Sequence, residues 1–402
     1  MGERRVFVTG LGAVSPAGAS VDAFRDALRA GVQGARPVTA FSTASFRSRT
    51  AATVREFDPK QFIAPGKVRR LDPSSRYAIA ASIQACRAAG LAVPVADPDA
   101  TDRIGSVFGS SSSGGTPVRE FLEPILREGP GAAQPMVFPN TVGNAPSSYV
   151  AIELGLKGPN ATLCQKEASG AHALALARDW VAEGRADAIV AGGADEVPET
   201  FYRVMDRLGA LARGDGQSLP WGAGSRGFVM GEGAYALLCE AEGSPRRPLA
   251  EIAGSASAGD PVIHQRWPER VSVVARALAA AIGAAGLGPA DIDLGVASAN
   301  GSPGLDSVEA AAIDTLFEGR VPAVTSVKGL TGEAGGSGAA SALAGVLALQ
   351  QQELLPVAAV KIRADLPFAP VTTARAATIQ NVLISALGSG GACAALVLAR
   401  CP

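Results

Sequence analysis

Two carboxylates, one lysine and one asparagine stand in glycine-framed segments suited to holding reactive groups where strands meet helices. Glu167 lies in Lys166-Glu167-Ala168-Ser169-Gly170 and Asn300 in Ala299-Asn300-Gly301-Ser302. Lys328 and Glu333 share Lys328-Gly329-Leu330-Thr331-Gly332-Glu333. Glu167 falls at a strand-to-helix turn, where Gly170 permits a tight bend and the helix N-terminus favours negative charge. Asn300 can donate a hydrogen bond but cannot shuttle a proton near neutral pH. Lys328 is expected to pair with Glu167, Glu333 or both. Two carboxylates competing for one lysine push one carboxyl pKa upward.

The other groups able to do chemistry are few. Cys164 precedes Glu167 by three residues, on the strand and not the turn, and reads as a buried structural thiol. The five cysteines (Cys86, Cys164, Cys239, Cys393, Cys401) are scattered without zinc or redox spacing, so they read as reduced, mostly buried small hydrophobes and no metal site is expected. There are only two histidines, His172 and His264. A mechanism needing a histidine pair is excluded unless both serve. His172, one turn into the helix after Glu167, reads as a packed or interface residue, and His264 lies in a loop with no signal.

Apolar residues are 47% of the 402 and charged residues 18%, enough for a large buried core and unlike a disordered chain. Net charge is −1 with no long basic run, which argues against nucleic acid or an anionic membrane as partner. No window holds eighteen uninterrupted apolar residues, so no membrane span is expected. The chain enters a strand by Val6, leaving no room for a signal peptide, and position 6 lacks the hydroxyl that myristoylation needs. A cytoplasmic protein is expected.

These groups must be positioned by alternating strands and helices. Strand signals run over Val6–Val14, Ile104–Ser110, Ala161–Gln165, Ala188–Gly192 and Gly233–Cys239. A second set covers Leu249–Ser255, Leu294–Ser298, Ala323–Val327, Ile379–Ala386 and Ala392–Leu398. Helical stretches between them include Asp22–Ala30, Arg76–Ala89, His172–Gly184, Arg270–Ala285 and Gly338–Gln352. Such alternation implies sheets covered by helices on both faces. Five strand signals fall on each side of a polar hinge at Glu242–Pro248, which divides the chain into related halves, 1–245 and 246–402.

Phrases along the whole chain resemble the β-ketoacyl synthase family. They are Val8-Thr9-Gly10-Leu11-Gly12-Ala13-Val14-Ser15-Pro16-Ala17-Gly18, Gly192-Gly193-Ala194-Asp195-Glu196, and Ser225-Arg226-Gly227-Phe228-Val229-Met230-Gly231-Glu232-Gly233-Ala234. The three glycine-framed segments, with Asp306 and Glu309 as the acidic pair of the Asn300 loop, complete a match in order from residue 6 to about residue 398. The resemblance implies an α/β thiolase-type fold, two βαβαβαββ halves in a five-layer αβαβα sandwich. It also implies a dimer in which the strand near 161–165 pairs across a two-fold axis.

Read through this resemblance, the reactive residues are absent. Glu167 stands where the family has its nucleophilic cysteine, and Asn300 and Glu333 stand where it has histidines, while Lys328 keeps the family's lysine. A carboxylate carries no stable acyl thioester, and a charged Glu333 would repel an enolate. Gly388-Ser389-Gly390-Gly391 places Ser389 where the family has a gating phenylalanine.

Inactive copies of this kind resemble the chain length factor, or ketosynthase β subunit, of type II polyketide synthases. The implied role is to pair as a heterodimer with an active ketosynthase α subunit and set polyketide length through an interface tunnel. The substrates would ride on the phosphopantetheine of an acyl carrier protein, with no cofactor on this chain. Thr116, Val118, Phe121 and Leu122 are candidate tunnel liners, within Gly114–Ile125 and a second stretch at Phe138–Ser148. Aromatic members usually carry glutamine at the elbow, so Glu167 leaves aromatic and reducing polyene-type products both open. Two other readings stand beside this one. The first is a free-standing condensing enzyme or malonyl decarboxylase using Glu167 or Cys164. The second is a non-catalytic acyl-binding homodimer.

Overall fold

The first strand, β1 (Val6–Val14), is apolar at alternate positions and places Gly10 and Gly12 on the face where a helix must approach. It belongs to a sheet of ten strands, completed by β2 (Ile104–Gly109), β3 (Asn160–Leu163), β4 (Ala188–Asp195), β5 (Gly233–Ala241), β6 (Ala250–Gly259), β7 (Leu294–Val296), β8 (Ala323–Thr325), β9 (Asn381–Gly388) and β10 (Ala392–Ala399). The computed structural model describes residues 4–263, 265–358 and 361–401, so His264 lies outside the described residues.

The strand order is β8-β7-β9-β10-β6-β1-β5-β4-β2-β3. Reading outward from the centre gives β1-β5-β4-β2-β3 on one side and β6-β10-β9-β7-β8 on the other. Each strand therefore has a counterpart numbered five higher. In both halves the first two pairings are antiparallel and the last two parallel. Among the described residues, the two half-sheets pair with each other where Phe7 and Val8 meet Glu251 and Ala250. The boundary expected at 245/246 falls in the 242–249 connection between β5 and β6.

The longer helices are α1 (Val21–Arg29), α2 (Pro73–Ala88), α3 (Gly115–Glu128), α4 (Ala145–Leu154), α5 (Ser169–Ala182), α6 (Glu199–Leu208), α7 (Val271–Ala284), α8 (Pro303–Phe317) and α9 (Ser337–Gln351). α2 and α4 cover the first half-sheet, α7 and α8 the second, and α5 and α9 pack together between them. This is the five-layer thiolase-type arrangement. Its central helices explain their own composition. α9 is buried from Ser337 to Leu349, and its small residues (SGAASALAGVLA) fit between two sheets where a polar face would be left unsatisfied. α2 is capped by the buried Asp72, whose carboxylate accepts from Ser75 N at 3.0 Å, with Pro73 following in the first turn.

Candidate functional site

Both central helices start at the centre of the molecule. Glu167 sits in a one-turn 3-10 helix, Lys166–Ala168, between β3 and α5. The bend there is made by Lys166, which takes φ 50°, and not by Gly170. Gly170 has a different task. A Cβ on it would lie 2.9 Å from Ala339 N, so the bare backbone lets α5 touch α9, and Gly170 N donates to Gly335 O at 2.8 Å.

Glu167 is buried, 8% exposed. Its Oε2 accepts from Ser389 N at 2.7 Å and from Ser389 Oγ at 3.0 Å, and Oε1 accepts from the same hydroxyl at 3.2 Å. Ser389 stands on the β9–β10 hairpin, where Gly390 and Gly391 both take φ 90°. Lys328 therefore pairs with only one of the two carboxylates considered for it. Its Nζ donates to Glu333 Oε2 at 2.7 Å and to Ser298 Oγ at 2.8 Å. Glu167 lies nearer the surface and takes its donors from the hairpin.

Asn300 Nδ2 donates to the same Glu333 Oε2 at 2.6 Å, and Asn300 Oδ1 accepts from Ser302 N at 2.8 Å. Lys328, Glu333 and Asn300 are all buried. Burial pushes the Glu333 carboxyl up to about 7; Lys328 opposes that rise and the Glu167 charge adds to it. Competition between carboxylates is thus the lesser cause. Glu333 Oε1 is buried with no hydrogen-bond partner among the described residues.

The acidic pair on α8 supports this network from below. Asp306 accepts from Asn300 N at 2.9 Å and Trp221 N at 2.7 Å, and burial raises its carboxyl to about 6. Glu309 Oε1 accepts from Ser298 N at 2.8 Å and Ser385 Oγ at 2.6 Å, and burial raises it to about 7. Asp195, at the end of β4, clamps the surrounding turns. Its carboxylate accepts from Ser110 Oγ, Ser111 N, Ser112 N and, across the pseudo-symmetry, Gly336 N at the start of α9.

A cavity of about 520 Å³ opens onto Glu167 and Ser389, walled by Phe201, Met205, Phe228 and Trp267 with Lys166 and Arg226. Lys328, Asn300 and Glu333 do not line it. The Glu167–Ser389 contact stands between the cavity and the buried network.

Cys164 differs from its sequence reading. It is exposed, because β3 is the edge strand and ends one residue earlier, at Leu163. Partial burial, with Asp195 adding, still pushes its thiol up, away from the thiolate form a nucleophile needs. His172 is half-buried on α5 with Nδ1 3.3 Å from Ser257 Oγ, and burial lowers its pKa.

The four candidate liners all lie on α3 but do not converge on a closed channel within this chain. Val118 and Leu122 border an open depression of about 560 Å³ between α3 and α6. Phe121 packs on Phe138 with ring centroids 5.6 Å apart. Thr116 is turned inward, its backbone N donating to Glu196 Oε1 at 3.0 Å. Val118, Leu122, Leu126, Phe138, Val142 and Ile152 make an exposed apolar series along α3, the segment after it and α4.

Family models match this chain across both halves: the β-ketoacyl synthase N-terminal domain over residues 3–243 and the C-terminal domain over residues 249–361. The chain belongs to the β-ketoacyl synthase family. It is 32% identical to 3-oxoacyl-[acyl-carrier-protein] synthase 2 of Coxiella burnetii, covering 100% of this chain and 99% of that one. Among solved structures it resembles the ishigamide ketosynthase/chain length factor, with TM-score 0.92 and 28% identity over the full length of both chains. It also resembles a β-ketoacyl synthase from Burkholderia phymatum, with TM-score 0.90 and 26% identity over 99% of this chain and 100% of that one. Ketosynthases act on acyl chains carried on the phosphopantetheine of acyl carrier protein, and the family implicates no metal. Among the described residues, no helix is long and apolar enough to cross a membrane.

Sequence reasoning placed Glu167, Asn300, Lys328 and Glu333 in one region, and the structure brings the last three into contact. It missed Ser298 as the second partner of Lys328 and Ser389 as the partner of Glu167. Ser298 sits two residues before Asn300, but nothing in the sequence marks it as facing a lysine thirty residues on.

Proposed function

We propose that this chain is a ketosynthase-fold subunit without condensing chemistry of its own, a chain length factor. It pairs with an active ketosynthase α subunit and limits the length of a polyketide that the partner extends on acyl carrier protein. The observation that carries this reading is the Glu167–Ser389 contact. At the elbow where the family's reaction needs a thiol, a carboxylate is fixed by two donors from one serine. Behind it, Asn300 and Glu333 form a buried ionic network with Lys328 instead of a pair of imidazoles. Further support comes from the similarity to the ishigamide ketosynthase/chain length factor over the whole chain.

The partner would sit on edge strand β3 and the exposed apolar series beside it, since an edge with unpaired N–H and C=O groups and flanking apolar side chains invites pairing. The α3–α6 depression would then become part of a tunnel closed by the partner, lined by Val118, Phe121 and Leu122. The halves 1–245 and 246–402 serve as one rigid unit in this reading.

A second reading has an observation of its own. The 32% identity to a 3-oxoacyl-[acyl-carrier-protein] synthase favours a condensing enzyme or malonyl decarboxylase acting through Glu167 or Cys164. Incubating the purified chain with malonyl-carrier protein separates the two, since a length factor releases no carbon dioxide above a protein-free control. Release that disappears in E167A would replace the proposal. Gel filtration with and without a co-expressed ketosynthase tests the acyl-binding homodimer, which would stay soluble and dimeric alone.

A further inference from the structure

The helix that carries the candidate tunnel face has no cap of its own. α3 starts after Gly114, which takes φ 78° and offers no side chain to the free N–H groups of the first turn. The missing acceptor comes from a distant segment. Glu196, just beyond β4, accepts from Thr116 N at 3.0 Å, and the Thr116 hydroxyl bonds the same carboxylate. Its backbone O accepts from Ser112 Oγ at 2.7 Å, in the turn leading into the helix.

The grip continues along the segment after Glu196. A Cβ on Gly115 would lie 2.4 Å from Pro198 Cγ, so the first turn rests directly on that proline. Arg119, in the next turn, pairs with Glu199 at 2.5 Å. The far end of α3 has no comparable seat: Leu126 is 82% exposed, and Pro124 removes a helix donor. Glu196 itself is buried, with Asp72 and Glu232 close enough to raise its carboxyl further after burial has done so.

We propose that Glu196 is a positioning residue that seats α3 and thereby shares in fixing product length. This rests on the length-setting reading of the site. The α3 face that would meet the growing chain lies within two turns beyond Thr116, so a shift of the first turn carries Val118, Phe121 and Leu122 with it. Thr116 accordingly belongs to the seat and not to the lining.

The test uses the heterodimer with its ketosynthase, carrying E196A, E196Q or T116V in this chain. Hydrogen–deuterium exchange over residues 115–122 reads the seat directly, and mass spectrometry of carrier-bound products reads length. E196A is expected to raise exchange roughly ten-fold, the effect of losing about one charged hydrogen bond, and to broaden the product distribution by at least one extension unit. E196Q, which keeps an acceptor oxygen, should stay near wild type in both. Unchanged exchange in E196A overturns the seat. Raised exchange with unchanged products, while F121W still alters them, overturns the share in length. If F121W and E196A both leave products unchanged, the length-setting reading fails while the exchange result still decides the seat. Should E196A fail to assemble, T116V, which removes the hydroxyl bond to Glu196 and keeps the backbone one, is expected to raise exchange about three-fold, and unchanged exchange in it overturns the seat.

Discussion

The carboxylate of Glu167 and the hydroxyl and backbone N–H of Ser389 are bound to each other across 222 residues of sequence. Both stand where the sequence resemblance implies other residues, and they meet. The elbow and the hairpin are thereby tied shut at the floor of the cavity.

Breaking this tie should cost stability without abolishing assembly. S389A removes the hydroxyl donor and keeps the backbone one, so it should destabilise by about 0.5–1.5 kcal/mol, the usual worth of a net hydrogen bond. E167Q keeps an acceptor for Ser389 N and should co-purify with the ketosynthase at wild-type yield. Loss of all soluble complex in E167Q would mean that the negative charge itself holds the fold.

The Lys328–Glu333 pair makes a sharper prediction. K328M strands a buried carboxylate and should cost roughly 3–5 kcal/mol, while K328M/E333L should recover most of it. Burial raises Glu333 to about 7, so the stranded group can take up a proton. Melting curves should therefore show K328M closer to wild type at pH 6 than at pH 8. An equal deficit at both would exclude a chargeable Glu333.

Stability should also fall as pH rises through neutrality. Glu309 is raised from 4.5 to about 7 by burial, so between those values the folded chain holds a proton that the unfolded chain has lost. Its contribution is full below about 4.5 and is lost as pH climbs through about 7. Glu196 and Glu333, also raised to about 7 by burial, act in the same direction. Asp187, held at about 2 chiefly by its hydrogen bond to Arg103, acts the opposite way but only in strong acid. The melting temperature should drop from pH 5 to pH 8, and E309Q should drop less. A flat wild-type profile would contradict the assignment.

For the proposed tunnel, F121W should shorten products by at least one extension unit. Phe121 is half-buried on α3 against Phe138, and in the proposed tunnel added bulk there would narrow the channel. An unchanged length distribution removes Phe121 from the lining.

Much of the fold was legible because alternation and glycine punctuation act locally. Val6–Val14 is a strand from first residue to last as expected, and all ten strand signals appear in the sheet. The ends that moved are set by pairing instead of composition. β3 begins at Asn160 because Asn160 registers with Ser106 of β2, and it stops before Cys164, which is left at the surface. The site was half legible. Lys328 and Glu333 are near in sequence and meet within one loop. Ser389, Ser298 and Glu196 reach their partners only after the chain has folded back, and no spacing rule foretells those contacts. Gly170 was placed in the right motif for the wrong reason, since its role depends on a second helix.

The duplicated architecture distributes its burdens unevenly. Among the described residues, every large exposed apolar side chain except Ile263 belongs to the first half, and Asn300, Glu309, Lys328 and Glu333 all belong to the second. Drift at these exposed apolar positions thus changes the surface the first copy presents, while drift at the four buried positions of the second is felt as loss of solidity. Under the proposed role, a chimera grafting residues 1–245 of a relative onto this carboxy-terminal half should inherit the donor's ruler and keep the recipient's ballast.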